Sequence, residues 1–139
     1  MNEMRDIEKL IPHRAPFLFL DELTSADIET ISGNRTFDKS EQTLLGSFPD
    51  TDFVPGMIVL ESMIQCGGAG VKLLGLTEGL FGLANIDNVN FHQHVKFGEK
   101  VKYEIKNIRI GKKVVKQSGA AYIHDAKVLD ATWVCVRID

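Results

Sequence analysis

Glu61 and Gln65 carry most of the chemistry this sequence offers. They are four residues apart in an apolar run from Pro55 to Leu74 and share one helix face. A carboxylate inside an apolar helix is costly unless it finds partners or keeps its proton. One that keeps its proton is a general acid. The plainer reading is a carboxylate satisfied by Gln65, by backbone groups or by water. Gly56 and Met57 open the same run. Their N–H groups, at a helix N-terminus, have no intrahelical partner and can hold a carbonyl oxygen that gains negative charge.

The remaining candidates give weaker signals. His13, in Pro12-His13-Arg14, reads as a hydrogen-bonded loop residue. His92 and His94 alternate and so share a strand face, but a third metal ligand is missing from the pattern. His124 reads as a turn residue. Ser47 lies in Gly46-Ser47-Phe48-Pro49, without the spacing of a nucleophile elbow, and reads as a loop serine. Cys66 and Cys135 sit in apolar runs and read as small core residues, which fits a reducing, cytoplasmic setting. There is no Cys/His zinc pattern.

The elements that must position these residues follow from hydrophobic period. The 139 residues are one domain's worth, spanning 1–139. With 44% hydrophobic and 25% charged residues, disorder is excluded for most of the chain. The N-terminus lacks the apolar core of a secretory signal. Residues 6–11 predict a short helix stopped by Pro12. Residues 17–20 predict a buried strand and 28–37 a second one, followed by a polar turn at 38–42. Residues 57–74 predict a long helix, apolar almost all round and therefore buried on every side. Glu61, Gln65, Lys72 and three glycines exclude a membrane span. Gly67, Gly68 and Gly70 each cost about 1 kcal/mol against Ala, which is tolerable where another backbone comes close. Strands are predicted at 81–91, 101–110, 113–123 and 127–138, the last two separated by His124-Asp125.

One long helix and about six strands give an α+β fold. A single curved antiparallel sheet wrapped round the helix, the hot-dog arrangement, buries it most economically. Such a sheet leaves an edge that a second copy can cover.

Charge excludes one class of partner and leaves another open. The net charge of −3 argues against nucleic-acid binding. Residues 1–54 hold five basic and eleven acidic side chains, net −6, whereas 96–116 hold eight basic and two acidic, net +6. The basic stretch is either a solvated face with lysines guarding an edge or a docking surface for an acidic partner.

Three blocks resemble one family. Leu10-Ile11-Pro12-His13-Arg14-Ala15-Pro16-Phe17-Leu18-Phe19-Leu20-Asp21 is similar to the opening of the (3R)-hydroxyacyl-[acyl-carrier-protein] dehydratases of the FabZ type. Gly46-Ser47-Phe48-Pro49, with Val54-Pro55-Gly56-Met57 through Gln65, resembles that family's active-site block. Residues 83–91, followed by Val95 and Gly98-Glu99, resemble its later strand.

The resemblance implies a hot-dog dimer or higher assembly that dehydrates 3-hydroxyacyl thioesters carried on the phosphopantetheine arm of acyl carrier protein. No other cofactor, metal or membrane is implied. In the family a histidine takes the α-proton, an acid on the helix protonates the departing hydroxyl, and the helix N-terminus holds the thioester carbonyl. By position Glu61 matches the acid, and Gly56, Met57 and Gln65 the substrate-binding positions. The family's histidine position is Ser47, and a neutral hydroxyl is no base near pH 7. Losing a general base lowers the rate about 10²–10⁴-fold, roughly 3–5 kcal/mol.

The implied functions are therefore several. The chain is a dehydratase subunit completed by a histidine from a related partner, or a self-sufficient dehydratase with another base such as His92 or His94. The alternatives are a hot-dog thioesterase using Glu61 and a non-catalytic acyl carrier protein binder.

Overall fold

The computed structural model describes residues 4–139. A single turn of 3-10 helix at Ile7–Lys9 leads into an irregular segment ahead of strand β1 (Glu22–Ala26). Then come β2 (Thr30–Thr36), a short helix α1 (Gln42–Leu45), β3 (Phe53–Val54) and the long helix α2 (Gly56–Leu73). Strands β4 (Phe81–Phe91), β5 (Val95–Lys96), β6 (Lys100–Ile110), β7 (Val114–Ile123) and β8 (Ala126–Arg137) complete the chain.

Six strands form one antiparallel sheet in the order β1-β2-β6-β7-β8-β4. The sheet packs on α2, and this is the hot-dog fold. Bulges interrupt the β1/β2, β4/β8 and β6/β7 ladders and the β7/β8 register near Ala121, bending the sheet round the helix. Strands β3 and β5 pair separately. Alternation along β6 buries Val101, Tyr103 and Ile105 and exposes Lys100, Lys102, Glu104 and Lys106.

Residues 17–20 are not a strand. Their backbone groups bond to α2 side chains instead. Ser62 Oγ donates to Phe19 O (2.6 Å), Gln65 Nε2 donates to Phe17 O (3.1 Å), and Phe19 N donates to Gln65 Oε1 (2.8 Å). Tyr103 Oη donates in turn to Ser62 Oγ (2.5 Å), so helix, sheet and this segment share one buried network. Burial holds the Tyr103 phenol neutral by pushing its pKa up.

Pro55 precedes the first turn of α2, and Gly75, at φ +70°, ends the helix in the left-handed conformation that glycine tolerates. The helix is not buried on every side. Met57, Gly68 and Lys72 are exposed and Glu61 is partly so, a stripe at helical spacing that the sheet leaves uncovered.

The helix glycines meet side chains rather than a backbone. A Cβ on Gly67 would lie 2.3 Å from Gln117 Oε1, and one on Gly70 would lie 2.5 Å from Ile31 Cγ2. Gln117 Nε2 donates to Gly67 O (3.2 Å), and Trp133 Nε1 donates to Gln117 Oε1 (3.1 Å), which pins the helix to the sheet. Gly67→Ala is therefore expected to destabilise by about 1–3 kcal/mol through overpacking. Gly68→Ala, whose Cβ would meet only an ordinary contact with Ile11 at 3.9 Å, is expected to stabilise by up to about 1 kcal/mol. Urea unfolding midpoints of the two variants check the opposite signs.

Candidate active site

Gln65 is fully committed. It is 2% exposed, and its amide contacts the backbone at Phe17 and Phe19 as well as Glu61. The Phe19 N–H fixes which end of the amide is the oxygen, so Nε2 points at Glu61 Oε2 across 2.9 Å. Glu61 thus has the partner its helix position requires, from the residue one turn on. Its side chain is 25% exposed rather than buried, because it lies on the uncovered stripe of α2.

A second neighbour comes from far away in sequence. His13 Nε2 is 3.7 Å from Glu61 Oε2, beyond a hydrogen bond but within ion-pair range. Its loop is clamped by Arg14, which donates to the carbonyls of Ile11, His13 and Glu8. The imidazole stacks on Phe17 at 6.3 Å between centroids, and its Nδ1 is buried with no hydrogen-bond partner among the described residues. The ring is therefore not the hydrogen-bonded loop residue the sequence suggested.

Glu61 and His13 open into a cavity of about 290 Å³ walled by Ile11, Ile64, Phe81, Leu83 and Cys135. Burial, with Glu61 nearby, pushes the Cys135 thiol up to about 11. It stays protonated near neutral pH and offers no thiolate nucleophile.

Gly56 and Met57 do not line this cavity. They face a second hollow with Phe48, Phe91, His92 and His94. A Cβ on Gly56 would lie 3.1 Å from the Phe91 ring, so the absence of a side chain lets that ring close on the helix N-terminus. His92 and His94 lie between β4 and β5, not on a shared strand face. His92 Nε2 meets Asp130 Oδ2 at 2.8 Å, and the His94 ring stacks on Phe53 at 4.4 Å. Hydrogen bonds from Asn90 and His92 hold the Asp130 carboxyl below the usual range. Ser47 is exposed in the loop after α1 and lines neither hollow, although its neighbour Phe48 lines the second. His124 makes the two-residue β7–β8 turn at φ 52°.

Within one chain, then, Glu61 and Gln65 come together, and Gly56 and Met57 lie elsewhere with the Ser47 loop. His13 was missed as a neighbour of Glu61. The two are 48 positions apart, and only the unforeseen docking of 17–20 on α2 joins them.

The profile of the FabA-like domain matches residues 11–132. The chain belongs to the FabA-like family. Its relatives include the 3-hydroxyacyl-[acyl-carrier-protein] dehydratase FabZ of Fusobacterium nucleatum, 33% identical over all of this chain and 99% of that protein. The FabZ of Halalkalibacterium halodurans is 32% identical over 94% of each chain. Among solved structures, the dehydratase heterocomplex ApeI:P of Xenorhabdus doucetiae superposes with a TM-score of 0.82 at 15% identity, over 96% of this chain and 91% of that one. Protein PH1136 of Pyrococcus horikoshii reaches 0.70 at 14% identity, over 100% and 94%. At these identities the structures speak for the fold alone. Membership makes this FabA-like chain dehydratase-like, as the three sequence blocks imply. Among its described residues no helix is long and apolar enough to cross a membrane, and no cluster of three or more His, Cys, Asp or Glu could hold a metal ion.

Proposed function

We propose that the chain is one subunit of a (3R)-hydroxyacyl-[acyl-carrier-protein] dehydratase of fatty-acid or polyene-type biosynthesis, supplying the acid and drawing the base from a related hot-dog partner. The observation that carries this reading is the separation of the two catalytic positions. Glu61 is oriented by a locked Gln65 at an apolar cavity, while Ser47 is exposed and lines another part of the surface. A site shared across two chains needs this division.

The chemistry follows from the groups. The partner's base takes the α-proton of the thioester. The electron pair left on the α-carbon forms the double bond to C3 as the C3–O bond breaks, and Glu61 gives its proton to the departing oxygen, which leaves as water. The thioester oxygen gains negative charge on the way and is received by N–H groups at a helix N-terminus. Gly56 and Met57 face the other hollow, with the Ser47 loop, so beside Glu61 those N–H groups come from the partner's matching helix. The substrate arrives on a phosphopantetheine arm, and no further cofactor takes part. Acyl carrier protein docks on the exposed Lys100, Lys102, Lys106 and Lys116 of β6 and β7. Strand β4, at one end of the six-stranded sheet with Leu83 and Phe91 exposed, pairs with the partner's edge. A dehydratase heterocomplex is known for a chain of this fold.

A second reading is favoured by one distance. His13 stands 3.7 Å from Glu61 and is a base within reach of the same cavity, which would make the chain self-sufficient. Turnover of a 3-hydroxyacyl carrier-protein thioester by the purified chain separates the two. The partner reading predicts little enoyl product from the chain alone and turnover from the complex purified out of its native host. Full turnover by the chain alone, lost about 10²–10⁴-fold in His13→Gln, establishes the second reading instead. Release of free thiol without enoyl product replaces both with a thioesterase. Retention of acyl carrier protein with neither product leaves a binder.

A further inference from the structure

Of the three glycines in the second half of α2, packing within the chain explains two. Gly67 makes room for Gln117 and Gly70 for Ile31. Among the described residues Gly68 makes room for nothing. A Cβ there would meet only Ile11 Cγ2 at 3.9 Å, an ordinary contact, and the position is exposed in a helix whose neighbouring residues are buried. A glycine inside a helix is about 1 kcal/mol worse than alanine, so the helix forgoes stability here with no return from its own packing.

The place of Gly68 supplies the reason. It lines the same cavity as Glu61 and follows it by seven residues. Seven residues are two helical turns, so Gly68 lies on the same face about 10.5 Å further along the axis. The cavity's walls include the apolar side chains of Ile11, Ile64, Val71 and Leu83, and the exposed Lys72, on the turn after Gly68, also lines it. An alkyl chain whose reacting carbons sit at Glu61 and which runs along the helix crosses Gly68 at medium length.

We propose that Gly68 determines chain length: its missing side chain keeps the far half of the cavity open for the alkyl tail of a medium or long acyl thioester. The inference rests on the dehydratase reading of the Glu61 cavity. A side chain at 68 would block long tails and leave short ones, which end before reaching it, unaffected.

Binding tests this directly, because the chain as it exists is expected to turn substrate over slowly. The probes are 3-hydroxybutyryl and 3-hydroxydodecanoyl pantetheine thioesters, titrated calorimetrically into the wild-type chain, Gly68→Ala and Gly68→Leu, with the oligomeric state of each followed by sedimentation. The wild type is expected to bind the dodecanoyl compound more tightly. Gly68→Leu is expected to weaken dodecanoyl binding at least tenfold and to change butyryl binding less than twofold, with Gly68→Ala, the better-folded variant, shifting in the same direction by a few fold. Equal weakening of both probes, or of neither, overturns the role of Gly68 while leaving the cavity as the acyl site. A change of oligomeric state in Gly68→Leu also overturns it, since Gly68 would then be a contact between chains. A wild-type chain that binds neither probe removes the dehydratase reading of the cavity and this inference with it.

Discussion

Ser47→His is expected to raise turnover of a 3-hydroxyacyl carrier-protein thioester by about 10²–10⁴-fold, equivalent to roughly 3–5 kcal/mol of barrier. The serine hydroxyl cannot accept the α-proton near neutral pH, whereas an imidazole titrates in that range. The position tolerates the change, because Ser47 is exposed and lines neither hollow. Stability should therefore stay within about 0.5 kcal/mol of the parent, as for most surface substitutions. KM should move much less than kcat, since only a group that acts in the transition state has been added. Steady-state kinetics beside a urea unfolding curve reads all three. An unchanged kcat in a well-folded variant would mean that position 47 does not face the reacting carbons, and the partner reading would fall.

Glu61→Gln, made in the Ser47→His background where turnover is measurable, is expected to lower kcat by about 10²–10⁴-fold. The amide keeps the size of the side chain and can still accept the Gln65 Nε2 hydrogen bond, so the helix should be unchanged. What is lost is the proton for the departing hydroxyl. Binding should survive, because the apolar walls of the cavity are untouched. A large rise in KM with kcat preserved would show that Glu61 only holds substrate. Equal activity in Glu61→Gln would leave the dehydration without its acid and contradict the assignment.

The large elements were legible because their periods are strong. Helix α2, strand β2 and the long strands β4, β6, β7 and β8 lie where apolar spacing put them. Where the expectation failed, the cause is tertiary. Residues 17–20 have the composition of a buried strand, but Ser62 and Gln65 take the hydrogen bonds a neighbouring strand would have taken. The first strand instead forms at Glu22–Ala26, where only Leu23 is buried and alternation is faint. The two-residue strands β3 and β5 are too short to show a period. The uncovered stripe on α2 was invisible for another reason: apolar and glycine residues read as buried whether the chain, a ligand or a partner covers them.

The site was legible to the same depth. The contact of Glu61 with Gln65 follows from helical spacing alone. The approach of His13 needed the docking of a distant segment, and the separation of Ser47 from Glu61 needed the path of the loop after α1.

A site divided between two chains can be tested by complementation. The parent chain holds Glu61 with Ser47 and lacks the base. A double variant, Ser47→His with Glu61→Gln, holds the base and lacks the acid. Neither should turn over substrate appreciably alone. Mixed in equal amounts by unfolding and refolding together, they should form dimers of which about half are mixed, each with one complete site, and enoyl product should appear at about a quarter of the rate per site of the Ser47→His chain. No product from the mixture, with Ser47→His active by itself, would place acid and base within one chain and contradict the shared site.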